Sequence, residues 1–220
     1  MNIAIDGPAG AGKSSIARLA AKKLNYVYVD TGAMFRTMAL YFLNENINPS
    51  EEETVTANCG QIQIAIEYQN GEQHIFLNGN DVSADIRKEE VGRQASVIAR
   101  YPAVRTKLLN LQRKLASEND VIMDGRDIGT VVLPEAECKV YLTASAGVRA
   151  ERRYKELREK GIDCDLAEIE KDIIARDEQD MKREIAPLIQ AEDAVLIDSS
   201  NLTIDEVVEK ICELAKGASK

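Results

Sequence analysis

The sequence predicts an α/β chain in which a parallel sheet is covered by helices on both faces and carries a small antiparallel β insertion. Three observations lead there. Short apolar runs recur between helical stretches whose apolar residues share one face, the alternation that builds a parallel sheet. The first of these runs leads straight into a Gly-rich loop and then a helical stretch. Around residues 62–77 the rhythm changes to apolar residues at every second position, the period of strands with one wet face.

Taken in order, residues 2–5 read as a buried strand, and the Gly-rich loop 7–14 leads into a helix with Ile16, Leu19, Ala20 and Leu24 on one face. Residues 26–29 form a second strand ending at Asp30, and helical periodicity resumes over 33–43. Ser50 with Glu53 has capping-box spacing for a further helix. Ile62, Ile64, Ile66 and Tyr68 then alternate with Gln63, Ala65 and Glu67. Asn70-Gly71 is a turn signal, 74–77 a second strand and Asn78-Gly79 another turn, which together make a small antiparallel sheet. Residues 89–116 are helical in pattern with a break near Pro102.

Residues 121–123 are a buried strand ending at Asp124, and 139–142 are another. Ser145 caps a long charged helix that Gly161 ends, and a second charged helix spans about 166–181. Residues 194–197 are the last strand. Thr203 and Glu206 form a capping box for a final helix running to near Gly217. No repeat, low-complexity stretch or linker divides the chain, so 1–220 is expected to form a single domain.

Composition excludes several classes of function. The 220 residues are 45% hydrophobic, enough for one sizeable core, and the net charge of -9 does not favour non-specific binding of nucleic acid. No apolar run reaches the roughly 18 residues needed to span a bilayer. Asp6 and Gly7 interrupt Ile3-Ala4-Ile5 too early for the apolar core of a signal peptide. A cytoplasmic monomer with neither nucleic-acid nor membrane partners is expected. Cys59, Cys138, Cys164 and Cys212 form no CxxC pair, and His74 is the sole histidine. Idle reduced thiols are therefore expected rather than a zinc site.

The chemistry centres on Gly7-Pro8-Ala9-Gly10-Ala11-Gly12-Lys13-Ser14, which matches G-x-x-x-x-G-K-[ST] at every fixed position and lies between a strand and a helix. Glycines let the backbone curl until successive N–H groups point at phosphate oxygens, and the following helix, entered through Ser15, adds its N-terminal partial charge. Lys13 can reach the β- and γ-phosphates, and the Ser14 hydroxyl can ligate Mg²⁺. A nucleoside triphosphate site follows from this, but the acceptor does not: a kinase, a GTPase-like switch and an ATPase all remain open.

Arginines on the later helices favour a small-molecule kinase, because a guanidinium fork matches phosphate oxygens. The candidates are Arg149, Arg152, Arg153 and Arg158 on one helix, then Arg176 and Arg183; neighbouring acidic residues make solvated ion pairs the alternative role for each. Asp124-Gly125-Arg126-Asp127 directly follows a buried strand, and ligands of open α/β sheets gather beyond the carboxyl ends of strands. Asp124 is thereby placed for metal-bound water and Arg126 for a phosphate.

With these motifs assembled, the chain resembles the bacterial-type cytidylate kinases. The resemblance rests on the 7–14 loop, on Asp30-Thr31-Gly32-Ala33-Met34-Phe35-Arg36, on Asp124-Gly125-Arg126-Asp127-Ile128-Gly129-Thr130-Val131-Val132 and on Ala186-Pro187-Leu188. It implies a P-loop kinase core with a helical lid over about 149–165, and it makes 57–91 an inserted monophosphate-binding region. It further implies transfer of the γ-phosphate of ATP, with Mg²⁺, to CMP or dCMP. Carried over by position, Arg36, Arg126 and Arg183 would hold the CMP phosphate, with Thr31 and Phe35 beside them. Ser96, Arg105 and Asp127 would meet the cytosine, and Asp180 and Arg176 would lie near the sugar. The arginines of the helix after Ser145, namely Arg149, Arg152, Arg153 and Arg158, would belong to the lid closing over ATP. Phe35 stands where many relatives have tyrosine, so only a packing role is implied for its ring. Another small P-loop kinase, acting on a different monophosphate or on an alcohol such as shikimate, and a non-enzymatic nucleotide switch remain the competing readings.

Overall fold

A computed structural model describes residues 1–69 and 72–218. The expected turn at Asn70-Gly71 lies outside the described residues. The chain forms two compact units, one made of 1–28 and 119–220, the other of 29–118.

The first unit is built on strands β1 (Asn2–Asp6), β6 (Val121–Gly125), β7 (Cys138–Thr143) and β8 (Val195–Asp198). With β2 (Val27–Asp30), at whose Tyr28–Val29 bond the chain passes into the second unit, they make a five-stranded parallel sheet in the order β2-β6-β1-β7-β8. β1 is central: Ile3 pairs with Ile122 on one side and Cys138 on the other, which is why its apolar run is continuous rather than alternating. Helices α1 (Lys13–Leu24) and α8 (Ile204–Ala218) pack Ile16, Ala17, Ala20, Ala21, Val207, Val208, Ile211 and Cys212 into one core with Ile3, Ile5, Ile122, Val140 and Leu142.

Leu19 departs from its expected place on the buried face of α1, being 43% exposed. The small residues Ala17 and Ala21 lie buried instead, so the packed stripe is turned away from Leu19. Two further helices, α6 (Ala146–Glu159) and α7 (Leu166–Lys182), pack on each other, and α6 carries the expected Ser145 cap. Ser145 Oγ accepts from Val148 N, and Asp165 accepts from Glu168 N. At the far end of α6, Gly161 takes a left-handed φ of 73°. There Gly161 N bonds Arg158 O and Ile162 N bonds Leu157 O, closing the helix as a Schellman motif. The Thr203–Glu206 capping box forms in both directions.

The second unit holds α2 (Thr31–Asn44), α3 (Glu52–Asn58), a three-stranded antiparallel sheet of β3 (Ile64–Gln69), β4 (Glu72–Leu77) and β5 (Asn80–Asp81), then α4 (Glu89–Ile98) and α5 (Pro102–Glu118). The Asn78-Gly79 turn forms with φ of 48° and 86°, joining β4 to the short β5 that the sequence pattern did not reveal. α2 packs against α4 and β4. Pro102 opens α5, where a missing N–H costs nothing. The Ser50–Glu53 capping box does not form. Glu51 is the N-cap of α3 and accepts from the Thr54 hydroxyl, while Ser50 N donates to the side chain of Asn48. The local Asn48 turn thus occupies the backbone group that a capping box would use.

Candidate active site

In the first unit, the loop between β1 and α1 has the backbone shape that its glycines imply. Gly7, Gly10 and Gly12 have φ of 150°, 76° and 87°. A Cβ at Gly7 would stand 1.9 Å from the Leu142 carbonyl oxygen, so β7 requires glycine there. Lys13 is 6% exposed, and its Nζ donates to Pro8 O at 2.7 Å, folding the side chain back over its own loop. Burial, and next the Arg126 charge, push the Lys13 pKa down to about 7.

Ser14, at the start of α1, donates through Oγ to Asp124 Oδ2 at 3.0 Å. Asp124 lies at the carboxyl end of β6, and its other oxygen accepts from Tyr28 OH at 2.8 Å. The two residues expected to serve a metal are therefore adjacent, and both present hard oxygen donors. No cluster of three or more His, Cys, Asp or Glu side chains suited to a metal occurs among the described residues. The Ser14 and Asp124 oxygens suit Mg²⁺, which keeps several waters and binds through one or two protein groups plus substrate phosphates.

Beyond β6 the structure gathers four more of the expected residues. Arg126 Nε donates to Asp180 Oδ2 at 2.7 Å. Arg183 donates to Asp127 Oδ1 at 3.2 Å and lies 3.7 Å from Asp180 Oδ1. Two arginines and two aspartates alternate in one chain of two charge-assisted hydrogen bonds and the ion pair between Arg183 and Asp180, which orients the guanidinium planes before any ligand arrives. Arg183 Nε also donates to Ala186 O at 2.5 Å. Ala186 has φ of 50°, a left-handed conformation uncommon for a residue with a side chain. Arg176 is solvent-exposed on α7, yet surrounding protein atoms, then the Arg126 charge, hold its pKa below the usual arginine value.

The arginines of α6 divide sharply. Arg149 is 5% exposed and makes a two-pronged bond to Asp177 at 3.1 and 2.6 Å, plus bonds to Ala144 O and Ala9 O, each 2.9 Å. It is a buried strut that fastens α6 and α7 to the phosphate loop. Arg152 bonds Ser199 through its carbonyl at 2.8 Å and its hydroxyl at 3.3 Å. Arg153 pairs with Glu156, one turn away, at 2.9 Å, and Arg158 with Asp163 at 3.1 Å.

In the second unit Asp30 caps α2 by accepting from Ala33 N at 2.8 Å, and it holds Arg36 at 3.0 Å. Thr31 is buried at the start of that helix. The Arg105 guanidinium lies 5.7 Å from the centroid of the Phe35 ring and donates to Ala99 O at 2.9 Å. A ring without a hydroxyl thus still orients an arginine by its π face. Ser96 Oγ donates to Gly92 O at 3.3 Å.

The sequence model of the cytidylate kinases matches residues 3–217. The chain belongs to the cytidylate kinase family. The cytidylate kinase of Caldicellulosiruptor saccharolyticus is 51% identical over 97% of this chain and 95% of its own length. That of Lactobacillus johnsonii is 47% identical over 100% of this chain and 96% of its own. A solved structure of an uncharacterized protein from Eubacterium ventriosum aligns over 97% of this chain and 96% of its own with a TM-score of 0.53 and 11% identity, a likeness of fold alone.

Three features of this cytidylate-kinase family member escaped the sequence reading. Tyr28 looked like one more strand residue, and nothing local announces its bond to Asp124. Asp177 looked like one of many acids on α7, although it is buried against Arg149. Asp6 looked like the end of a strand. It is a buried carboxylate that accepts from Ile128 N and Gly129 N, both at 2.7 Å. A single charge following an otherwise apolar strand was the only signal available for it.

Proposed function

We infer that this chain transfers the γ-phosphoryl group of ATP to the phosphate of CMP or dCMP, giving ADP and CDP or dCDP. The observation that carries this reading is the whole-chain family match, joined to a phosphate loop whose lysine and serine stand ready in the first unit. A phosphate oxygen of CMP forms the new bond to the γ-phosphorus as the bond from that phosphorus to the β-bridging oxygen breaks. Both reactants are anions, so the protein's task is to align them and offset their repulsion.

Loop residues 7–15 bind the triphosphate, with their N–H groups on its oxygens. Lys13 leaves the Pro8 carbonyl to follow the charge developing between the β- and γ-phosphates. Ser14 and Asp124 would hold Mg²⁺, which when bound neutralises phosphate charge as a Lewis acid. Arg36, Arg126 and Arg183 take the acceptor phosphate, with Thr31 and Phe35 beside it. Ser96, Arg105 and Asp127 read the cytosine; Asp127 accepts from the N4 amino group and Arg105 donates to N3 or O2. Asp180 and Arg176 serve the sugar. Arg152 and Arg153, in the 149–165 lid, approach the transferring phosphoryl group and help to exclude water.

Among the described residues, no helix is long and apolar enough to cross a membrane. We propose a monomer acting in the cytoplasm. Coupled measurement of ADP release with CMP, dCMP, UMP and AMP tests the function. Fast release with CMP and dCMP alone is expected, whereas equal release with all four, or none above the ATP-only rate, overturns it.

A further inference from the structure

We propose that Asp6 is a positioning residue for the acceptor nucleotide, holding the turn after β6 so that Arg126 and Asp127 face CMP. The inference rests on the assignment of those two residues to CMP. The carboxylate sits at the end of β1, is 4% exposed, and gives one oxygen to each of two successive amides, Ile128 N and Gly129 N, at 2.7 Å. Those amides open the π-helical turn Ile128–Val132, whose N-cap is Asp127. Asp127 makes no capping hydrogen bond to it through its own side chain. The anchor therefore comes from 122 residues away, and it fixes the backbone immediately after the two recognition side chains.

The space around the anchor is tight. A Cβ at Gly129 would stand 3.2 Å from Lys139 Cδ and 3.4 Å from Asp6 Oδ2. The turn is thus closed by β7 on one side and Asp6 on the other, with little freedom to settle elsewhere. Burial pushes the Asp6 carboxyl up to about 6, opposed by the two amide bonds and by Lys13, with Asp127 adding to the rise. At mildly alkaline pH it is therefore ionised and both oxygens accept. Asp6 also directly precedes the phosphate loop, so its role could lie with either nucleotide. The bonds point to the acceptor side, since both go to the turn and neither to the loop 7–14.

Asp6→Asn tests this, because an amide keeps one acceptor but turns an N–H toward the second backbone N–H. Steady-state kinetics of wild type, Asp6→Asn and Arg126→Ala, with amide hydrogen exchange at Ile128 and Gly129, form the experiment. In Asp6→Asn the KM for CMP should rise about tenfold or more while the KM for ATP stays within about twofold, and exchange at both amides should accelerate. A raised KM for ATP with an unchanged KM for CMP overturns the proposal, as does no change in either. If Arg126→Ala raises the KM for CMP and Asp6→Asn does not, only the positioning role fails. If Arg126→Ala leaves the KM for CMP unchanged, the acceptor assignment fails and the proposal falls with it. Asp6→Ser, smaller and still carrying an acceptor oxygen, takes the place of Asp6→Asn if that variant does not fold, with the same KM split expected.

Discussion

Tyr28 OH donates to Asp124 Oδ1 at 2.8 Å while Ser14 Oγ donates to Asp124 Oδ2 at 3.0 Å, so one carboxylate is held from both sides at the carboxyl end of β6. Tyr28→Phe removes one of those bonds and leaves the ring in place. A hydrogen bond to a charged group contributes about 1.5–3 kcal/mol, so chemical denaturation should show a loss of that order. The carboxylate, held by one bond fewer, should also require more Mg²⁺ for half-maximal ATP binding, by about threefold or more. Calorimetric titration of ATP at several Mg²⁺ concentrations reads this, and an unchanged Mg²⁺ dependence would show that Tyr28 only packs.

Lys13 should couple triphosphate binding to protons. With its pKa held near 7 by burial and by Arg126, it is mostly neutral at mildly alkaline pH, and bound phosphates favour its charged form. ATP binding should then take up protons, approaching about one per site. Calorimetry in two buffers of different ionisation enthalpy measures the uptake. It should vanish in Lys13→Met, whose turnover should also fall by about a hundredfold or more. An uptake identical in the variant would assign the proton elsewhere.

The proposed choice of base rests on Asp127. Leaving a buried polar group unmatched costs roughly 1–3 kcal/mol, so CMP should exceed UMP by at least about tenfold in kcat/KM. Asp127→Ala should lose more activity on CMP than on UMP and narrow that ratio. Asp127 also accepts from Arg183 at 3.2 Å, which offers a purely supporting role. Equal losses on both nucleotides would favour that role over base recognition.

Arg149 and Arg153 sit on the same helix and should behave differently. Arg149→Ala leaves buried Asp177 without its two-pronged partner, which costs about 3–5 kcal/mol in urea unfolding. Arg153→Ala loses a one-turn surface pair worth less than about 1 kcal/mol, so its effect should be on turnover rather than stability. A stable Arg149→Ala protein would remove the strut from the account.

The cysteines should be dispensable. Cys59, Cys138 and Cys212 are buried, and burial pushes the Cys138 thiol up to about 11. A small alkylating reagent under native conditions should modify Cys164 alone and leave activity intact. Rapid inactivation that CMP prevents would contradict this.

Whatever is written in short, local spacing could be read directly from the sequence. Gly7, Gly12, Lys13 and Ser14 lie within eight residues, and a phosphate loop needs only a few adjacent backbone conformations to form. The strand–helix alternation, the Ser145 cap and the Thr203–Glu206 box are likewise decided by neighbours three or four residues apart. Leu19 and Ser50 mark where this local reading failed. Periodicity says that a helix has an apolar face but not how far that face is turned toward the core, and a capping spacing does not show that the nearby Asn48 has already taken the Ser50 amide.

Only the tertiary structure decided the partners of the charges. Arg149 and Arg153 are both arginines of one amphipathic helix, and no pattern in the sequence separates the strut from the solvated side chain. Asp6 meets Ile128 and Gly129, and Tyr28 meets Asp124, across separations of about a hundred residues, because β1, β2 and β6 end side by side in one sheet. Buried ionic groups need partners wherever the chain can bring them, so their pairing is set by strand order rather than by sequence distance.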